Sequence, residues 1–509
     1  MAAVTIATCL FGLVAVFLTC GGIMLGAFVL FVHYQHRKFA HIPSAPRKGL
    51  KGFFLGHAPV MVEYHKRNQS FNDAIVEMMR EYGHVVAIFL LFQPIILVFD
   101  PDFVKGILCT NTHPKPYKAY KLFKKILGTR FLGNGLVSVL DYETHAPKRA
   151  LLNPAFNRKY LQGMMGQFNA GADVLIEKLS HKADGKTEVA MLDEFNRTTL
   201  DIIAKVAFGM DLNITLDDNS PFRKAVSTIF AGADLEKTYP TTAFSPLPAA
   251  RKMRKDVRDS INFLRETGRR CIEERLKAME KQEEVPSDIL THILKEVDGF
   301  KKESAIDLEG LIDEFITLFI AGQETTANLL GFALLELGHH PEVMHRLKTE
   351  VEAVFEDKDL LEYADISQLT YMMQVLKETL RLWPPVTGSA RGLACDVVVK
   401  GYKLPKGTIV SVSSYVMARM EEYFHDPLQF EPDRFKASDD KSHYAYFPFS
   451  LGSRNCIGQQ FALIEARVLL AKLLHRFEFN LVPGQGHGVL DEITLKPAGR
   501  CRNYLTPVE

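Results

Sequence analysis

The chain has a single tryptophan, Trp383, among 509 residues, and no cysteine pair spaced C-x-x-C. Its seven cysteines stand at 9, 20, 109, 271, 395, 456 and 501. That odd, scattered set argues against a disulfide framework or a structural zinc site. It fits a body in a reducing, cytosol-facing compartment. Neither charge dominates: 61 Lys and Arg against 60 Asp and Glu leave a net charge of +1, so nothing global points to nucleic acid. Internal repeats and low-complexity tracts are absent. Three N-x-S/T sequons, at Asn68, Asn196 and Asn213, matter only in a lumenal protein and read as chance.

Residues 1–32 contain no Asp, Glu, Lys, Arg or His. As a helix this run reaches about 45 Å, more than the ~30 Å hydrocarbon core of a bilayer. A cleaved signal peptide wants positive charge before the apolar run, and none is present. The basic residues come after it, at His36, Arg37 and Lys38 and again at Arg47, Lys48 and Lys51. Positive charge stays cytoplasmic, which predicts an uncleaved single-span anchor with the body in the cytosol. The division expected is an anchor at 1–33, a basic, Pro-containing linker at 34–56 and one large domain at 57–509.

One thiol stands in an unusual frame: Phe449-Ser450-Leu451-Gly452-Ser453-Arg454-Asn455-Cys456-Ile457-Gly458. A lone thiolate serves as a nucleophile or as a single axial metal ligand, and the frame favours the ligand. Gly452 and Gly458 let the backbone approach a flat partner. Phe449 can lie beneath it, and Arg454 brings fixed positive charge to an acidic rim. The run from Gln459 onward reads as a helix whose N-terminus supports a thiolate. This F-x-x-G-x-R-x-C-x-G spacing resembles the haem-ligand loop of the cytochrome P-450 superfamily. The resemblance covers residues 54–500. It implies a mainly α fold with small β-sheets, haem b bound through Cys456, and electrons from NADPH delivered by NADPH–cytochrome P-450 reductase. It further implies a membrane-bound monomer that takes O2 and an organic substrate and no nucleic acid.

Other motifs extend the likeness. Ala321-Gly322-Gln323-Glu324-Thr325-Thr326 interrupts an apolar helical run from Asp307 to Leu337. In the family's terms Gly322 lets this helix approach the cofactor, Thr325 hydrogen-bonds dioxygen and Glu324 delivers protons. Glu378 and Arg381 sit one turn apart on a helix ended by Pro384-Pro385, and Arg434 lies downstream. The resemblance makes these three a buried charge cluster supporting the Cys456 loop. Arg391 and Arg149 correspond to arginines that bind haem propionates. His145 stands where the family has a tryptophan, with Pro147 two residues on.

Between these motifs, Phe71 to Tyr82 reads as a helix stopped by Gly83. Val85 to Phe99 reads as two strands broken at Pro94. Thr198 to Met210 is an expected core helix, and Arg251 to Lys281 an expected solvated outer helix. Val397 to Pro405 is a hairpin candidate, and Lys472 to Leu481 is expected to form a helix before C-terminal strands. Lys115 to Asn134 and the Pro-rich stretch near 239–248 correspond to segments over the substrate. Candidate substrate contacts are Tyr120, Leu127, Ala321, Val386, Thr387 and Thr494. Lys124, Lys125, Lys148 and Arg149 are candidates for a basic reductase-docking face, with a solvated charge run the equal alternative.

The runs at 417–435, 446–462 and 478–486 resemble the animal cholesterol 24-hydroxylase subfamily, which implies a sterol monooxygenase. Thr387 stands where an aromatic is expected there, so oxidation at another sterol carbon stays open. The alternatives are a fatty-acid or xenobiotic hydroxylase, a reductase-independent haem-thiolate isomerase or peroxygenase, and a non-enzymatic haem sensor or lipid-binding protein. The anchor implies the endoplasmic reticulum membrane.

Overall fold

The computed structural model describes residues 2–299, 307–356, 358–436 and 444–508. The chain opens with a helix, Ala2–Lys38, that runs past the expected end of the anchor. Its last turn holds His36, Arg37 and Lys38, cations that suit the carbonyl end of a helix. The stretch Phe11–Lys38 has a mean hydropathy of 2.4 and buries none of its most apolar window. The linker departs from a free tether. Phe39 and Ile42 are buried, Pro43 O accepts a 2.8 Å bond from Ala87 N–H, and a short helix, Gly49–Leu55, follows. Phe28 and Phe31 of the first helix meet Phe92 edge-on, so apolar contact fixes anchor to body.

Phe92 sits at the tip of a hairpin made by Val85–Leu90 and Gln93–Val98. The turn is at Leu91, with φ +56°, not at Pro94, which lies inside the second strand opposite Phe89. The next strand pairs only from Ile96 onward, so the ladder asks no N–H of Pro94 on that side. These strands continue into a four-stranded sheet with Ile409–Ser413 and then Gly388–Gly392. The helix Phe71–Tyr82 packs beside it, opened by a Ser70–Asp73 capping box and closed by Gly83 with φ +90°.

The remaining body is mainly helical. Its axis is Leu308–His339, here called the central helix, capped by the Asp307 carboxylate on Gly310 N–H. It is long and apolar enough to span a membrane, but 83% of its most apolar window is buried and it forms the core. Met191–Phe208 packs along it with most of its residues buried, as expected for the Thr198 to Met210 segment. Pro248–Glu280 is the long outer helix. Gln459–Arg476 is one helix, and the chain then leaves it as the strand Phe477–Leu481. The helix expected at Lys472 to Leu481 is therefore only its end. F-E-F-N-L alternates in polarity and pairs with Arg502–Pro507, which outweighs helical continuation.

Candidate active site

The Cys456 loop is built by its own backbone. Cys456 N–H donates to Phe449 O at 2.8 Å, and Ser450 N–H to Phe447 O at 2.9 Å. Ser450 takes φ +59° to make the turn. Gly452, at φ +72°, backs onto a different neighbour than the sequence suggests. A Cβ there would lie 2.3 Å from Leu108 O and 2.8 Å from Cys109 Cα. Its glycine is required by the close approach of the backbone at 108–109. A Cβ at Gly458 would sit 3.9 Å from the Cys456 sulfur, an ordinary contact. Burial pushes the Cys456 thiol up, while the Gly458 N–H and the Arg149 charge pull it toward thiolate.

A ring of cations lies beside this loop. Arg454 donates to Val139 O at 2.6 Å, to Leu140 O at 3.0 Å and to Asp141 O. Arg391 is buried, and among the described residues its guanidinium hydrogen-bonds only Ala390 O, the residue before it. Lys115 reaches Val137 O at 2.7 Å. Burial and then Arg454 and Arg391 push Lys115 well below the ordinary lysine range. Burial and then Arg391 hold Arg454 down at about 10. His145 is buried with Nδ1 unpartnered, and burial with the Arg454 and Lys115 charges drops it to about 3. Burying this much positive charge together is costly unless an anion joins it. Lys115 escaped the sequence reading because it stands in a Lys- and aromatic-rich stretch that reads as surface.

Arg149 is placed differently. Its guanidinium donates to Asn455 O and to Asn455 Oδ1 at 2.5 and 2.8 Å, and to Asn153 at 2.8 Å. It braces the residue before Cys456 and stands close enough to act on the sulfur. Lys148 is bound to the buried Glu314 at 2.9 Å, and Lys124 to Asn134 at 2.7 Å. Of the expected basic docking face, Lys125 alone is fully exposed without such a tie.

The central helix carries the third element. From Ile312 to Leu337 it is buried throughout except at Ala321, Gly322 and Thr325. Those three lie on one helical face by their i, i+1, i+4 spacing. Thr325 hydroxyl donates back to Ala321 O at 2.9 Å. Gly322 has a second role that the motif does not reveal. A Cβ there would lie 2.8 Å from the Ile203 side chain, so it admits the neighbouring helix. Glu324 points the other way. It is buried, its Oε1 lies 3.7 Å from Lys496 Nζ and its Oε2 has no hydrogen-bond partner. Burial raises it to about 7 against the Lys496 charge.

The family profile described as Cytochrome P450 matches residues 46–498. The chain belongs to the cytochrome P450 family. Cytochrome P450 4d2 of Drosophila melanogaster is 32% identical over 458 residues, 86% of this chain and 89% of that protein. Cytochrome P450 3A6 of Oryctolagus cuniculus is 28% identical over 441 residues, 84% of each chain. Cytochrome P450 3A7 of Homo sapiens is 29% identical over 435 residues, again 84% of each. P450 enzymes are haem-thiolate monooxygenases that draw electrons from NAD(P)H through a reductase.

The residues present fit that cofactor. A haem is flat, carries two carboxylates on its rim and takes one axial thiolate. Cys456 retains open surface in a loop whose other residues are half-buried or exposed. Arg391, Arg454 and Lys115 form the cationic ground a dianion needs, and His145 stands beside them as a neutral ring with an unpartnered nitrogen. His145 in place of tryptophan thus keeps a ring nitrogen available, and Pro147 is carried inside the helix Tyr142–Leu152 without ending it.

Behind the P450 loop, Glu378, Arg381 and Arg434 meet as expected. Glu378 accepts from Arg381 at 2.7 and 2.8 Å, from Arg434 at 2.9 Å and from Glu431 N–H at 2.9 Å. Arg381 spends its other hydrogens on Ala418 O, Pro427 O and Gln429 O. Tyr446, whose ring lies 4.9 Å from Phe435, carries this order into the Cys456 loop and donates to Lys377 O. Glu465 is a further buried acid that the sequence reading missed. Among the described residues neither of its oxygens accepts a well-formed hydrogen bond, and burial holds it well above the carboxylate range against the pull of the Thr326 hydroxyl. Its signal was a lone carboxylate inside the apolar run F-A-L-I-E-A.

The candidate substrate residues fall into two groups. Leu495 N–H donates to Pro385 O at 2.9 Å, joining the Val386–Thr387 turn to Thr494. Asn328 of the central helix donates to Thr494 Oγ1 at 3.0 Å, which brings Ala321's helix to the same wall. Leu127 is buried, with its N–H on Glu236 at 2.5 Å. Tyr120 stands under Lys115, whose Nζ lies 4.8 Å from its ring, which places it beside the cation ring.

Proposed function

We propose that this P450 is a membrane-anchored sterol monooxygenase, with cholesterol 24-hydroxylation as the specific reaction. The observation that carries the sterol reading is the likeness of residues 417–435, 446–462 and 478–486 to that subfamily. The balanced reaction is RH + O2 + two electrons + two protons to ROH + H2O. Haem bound through Cys456 supplies dioxygen activation, and the thiolate favours O–O cleavage. The chain's own residues supply position and protons. Thr325, on the one open face of the central helix, offers a hydroxyl that can turn from Ala321 O toward a ligand. Glu324, at about 7, holds a proton at neutral pH and can release it from inside the fold.

The basic residues that follow the apolar helix support an endoplasmic reticulum anchor crossing once, with the P450 body in the cytosol. The test of the substrate class is a difference-spectral titration of the purified protein with cholesterol and with lauric acid. A substrate-type shift with cholesterol at lower concentration is expected. A shift with laurate alone would replace the sterol reading by the fatty-acid one. An imidazole-type spectrum of the reduced, carbon-monoxide-bound protein would remove Cys456 as the ligand.

A further inference from the structure

Where the apolar helix meets the body, the fold leaves an open cleft of about 590 Å³. His33, His36, Arg37, His41 and Arg47 line it, with no Asp or Glu among the lining residues. None of the residues of the haem site borders it. Two of its basic groups are held in place by aromatic rings. The Arg47 guanidinium stacks 3.7 Å above the Phe89 ring, and the His36 ring lies 4.8 Å from the same ring and 5.2 Å from Phe53. Yet Arg47 Nη1 and His36 Nε2 are buried without a hydrogen-bond partner. Burial lowers Arg47 from the usual guanidinium range, as expected of a cation lacking its counter-charge. His41 and His57 differ. His41 Nε2 bonds Lys403 O at 3.1 Å. His57 receives Phe89 N–H on Nδ1 at 3.0 Å and faces Ala45 O with Nε2, which fixes it as a neutral ring.

We propose that this cavity binds the phosphate of an anionic phospholipid headgroup, with Arg47 and His36 as its two contacts. The argument for a lipid is position. The cavity begins in the last turns of a helix whose preceding stretch is apolar and unburied, which is headgroup depth for an anchor. The proposal therefore rests on the anchor reading. A guanidinium and an imidazole N–H, both pre-positioned and unspent, match phosphate oxygens.

The test uses the full-length haem-loaded protein in nanodiscs of phosphatidylcholine with a minority of phosphatidylserine. Native mass spectrometry then counts the lipid retained on release. One retained phosphatidylserine is expected, with retention falling roughly tenfold in a His36→Gln, Arg47→Gln double variant. A Lys48→Gln, Lys51→Gln double variant removes two formal charges at exposed sites outside the cavity, no fewer than the cavity variant removes, and should still change retention less than about twofold. Equal losses in both variants would show diffuse attraction and overturn the site. Displacement of the lipid by millimolar inorganic phosphate would overturn the lipid assignment. Arg47→Lys retains the charge and loses the planar fork, so intermediate retention is expected even where Arg47→Gln fails to fold. Flotation with neutral vesicles separates the two readings. A chain that does not float loses the anchor and the proposal together, whereas one that floats without retaining lipid loses the site alone.

Discussion

Glu378 and Glu324 are both buried acids within the P450 core, and they are solvated by protein in opposite ways. Glu378 receives four N–H donors from Arg381, Arg434 and Glu431, and both its oxygens are used. Glu324 has one lysine at 3.7 Å and one oxygen with no partner. A buried carboxylate with complete donors is locked as an anion and becomes scaffold. One with incomplete donors stays near the point where it takes or gives a proton. The first arrangement suits the side that must hold a thiolate loop still. The second suits the side that must move protons while water is kept out.

The largest effect should come from breaking the completed site. Glu378→Ala leaves Arg381 as a fully buried cation, with Arg434 also losing its main partner. Removing one member of such a pair costs about 3–5 kcal/mol. The expected result is loss of the thiolate-type carbon-monoxide spectrum and of cooperative unfolding. Glu378→Gln keeps shape but loses charge, so it should also fail to hold haem. A Glu378→Gln protein with normal haem content would mean that the cluster does not support the loop.

The second effect concerns Glu324 and is one of pH. Its folded value of about 7 lies above the ordinary 4.5, so it is protonated where the unfolded chain is not. Stability from this group is therefore greatest below 4.5 and falls as pH rises toward 7. Proton delivery needs the acid form, so turnover should decline as pH rises through about 7. Glu324→Gln should lower turnover by about 10²-fold and flatten that decline. It should also raise stability at pH 8 relative to the parent chain. An unchanged pH profile would remove Glu324 from proton delivery.

These contrasts were partly visible in the linear chain. Glu378-x-x-Arg381 is legible because i, i+3 spacing puts both on one helical face, and Pro384 marks the end of that helix. The central helix is legible from its length and its Asp307 cap. Which of two acids has its donors is not legible, because Glu431 N–H, Arg434 and Lys496 arrive from distant segments. Lys115 was hidden for the same reason: its role depends on Arg391 and Arg454, far along the chain. The docked linker was also hidden, since Phe39, Ile42 and Phe92 carry no pattern that distinguishes docking from exposure. Gly452 and Gly322 show a subtler gap. Each was expected to approach the cofactor, and the neighbours that the structure sets against them are Leu108 and Ile203.

A third effect tunes the incomplete site without removing it. Lys496 is half-enclosed between Glu324 and Glu492, bonded to the latter at 2.5 Å. Burial disfavours its charge, and the two carboxylates outweigh that and raise it. Asp234 adds to the same field. Lys496→Met deletes the charge that pulls Glu324 down, so the alkaline decline in turnover should move to higher pH by about one unit, an amount equal to ~1.4 kcal/mol. Haem content should not change, because Lys496 does not touch the cation ring. A shift to lower pH would contradict the direction of the Lys496–Glu324 coupling.

The smallest effect involves a carboxylate intermediate between these two. Glu336 is buried, accepts from Trp383 Nε1 at 2.5 Å and pairs with His487 at 3.2 Å. The hydrogen bond to Glu336 raises His487 above 6.5, against burial. Its stabilising charge is complete below 6.5 and is lost as pH rises through the raised folded value. His487 is more than a third exposed, so solvent screening keeps the contribution under about 1 kcal/mol. The readout is clean because Trp383 is the chain's only tryptophan, and its ring stacks on His487 at 5.6 Å with a 5° tilt. The single indole N–H resonance should titrate with His487, with a midpoint above 6.5. In His487→Gln it should become insensitive to pH in that range. An indole that titrates identically in the variant would remove His487 as the source of the pH response.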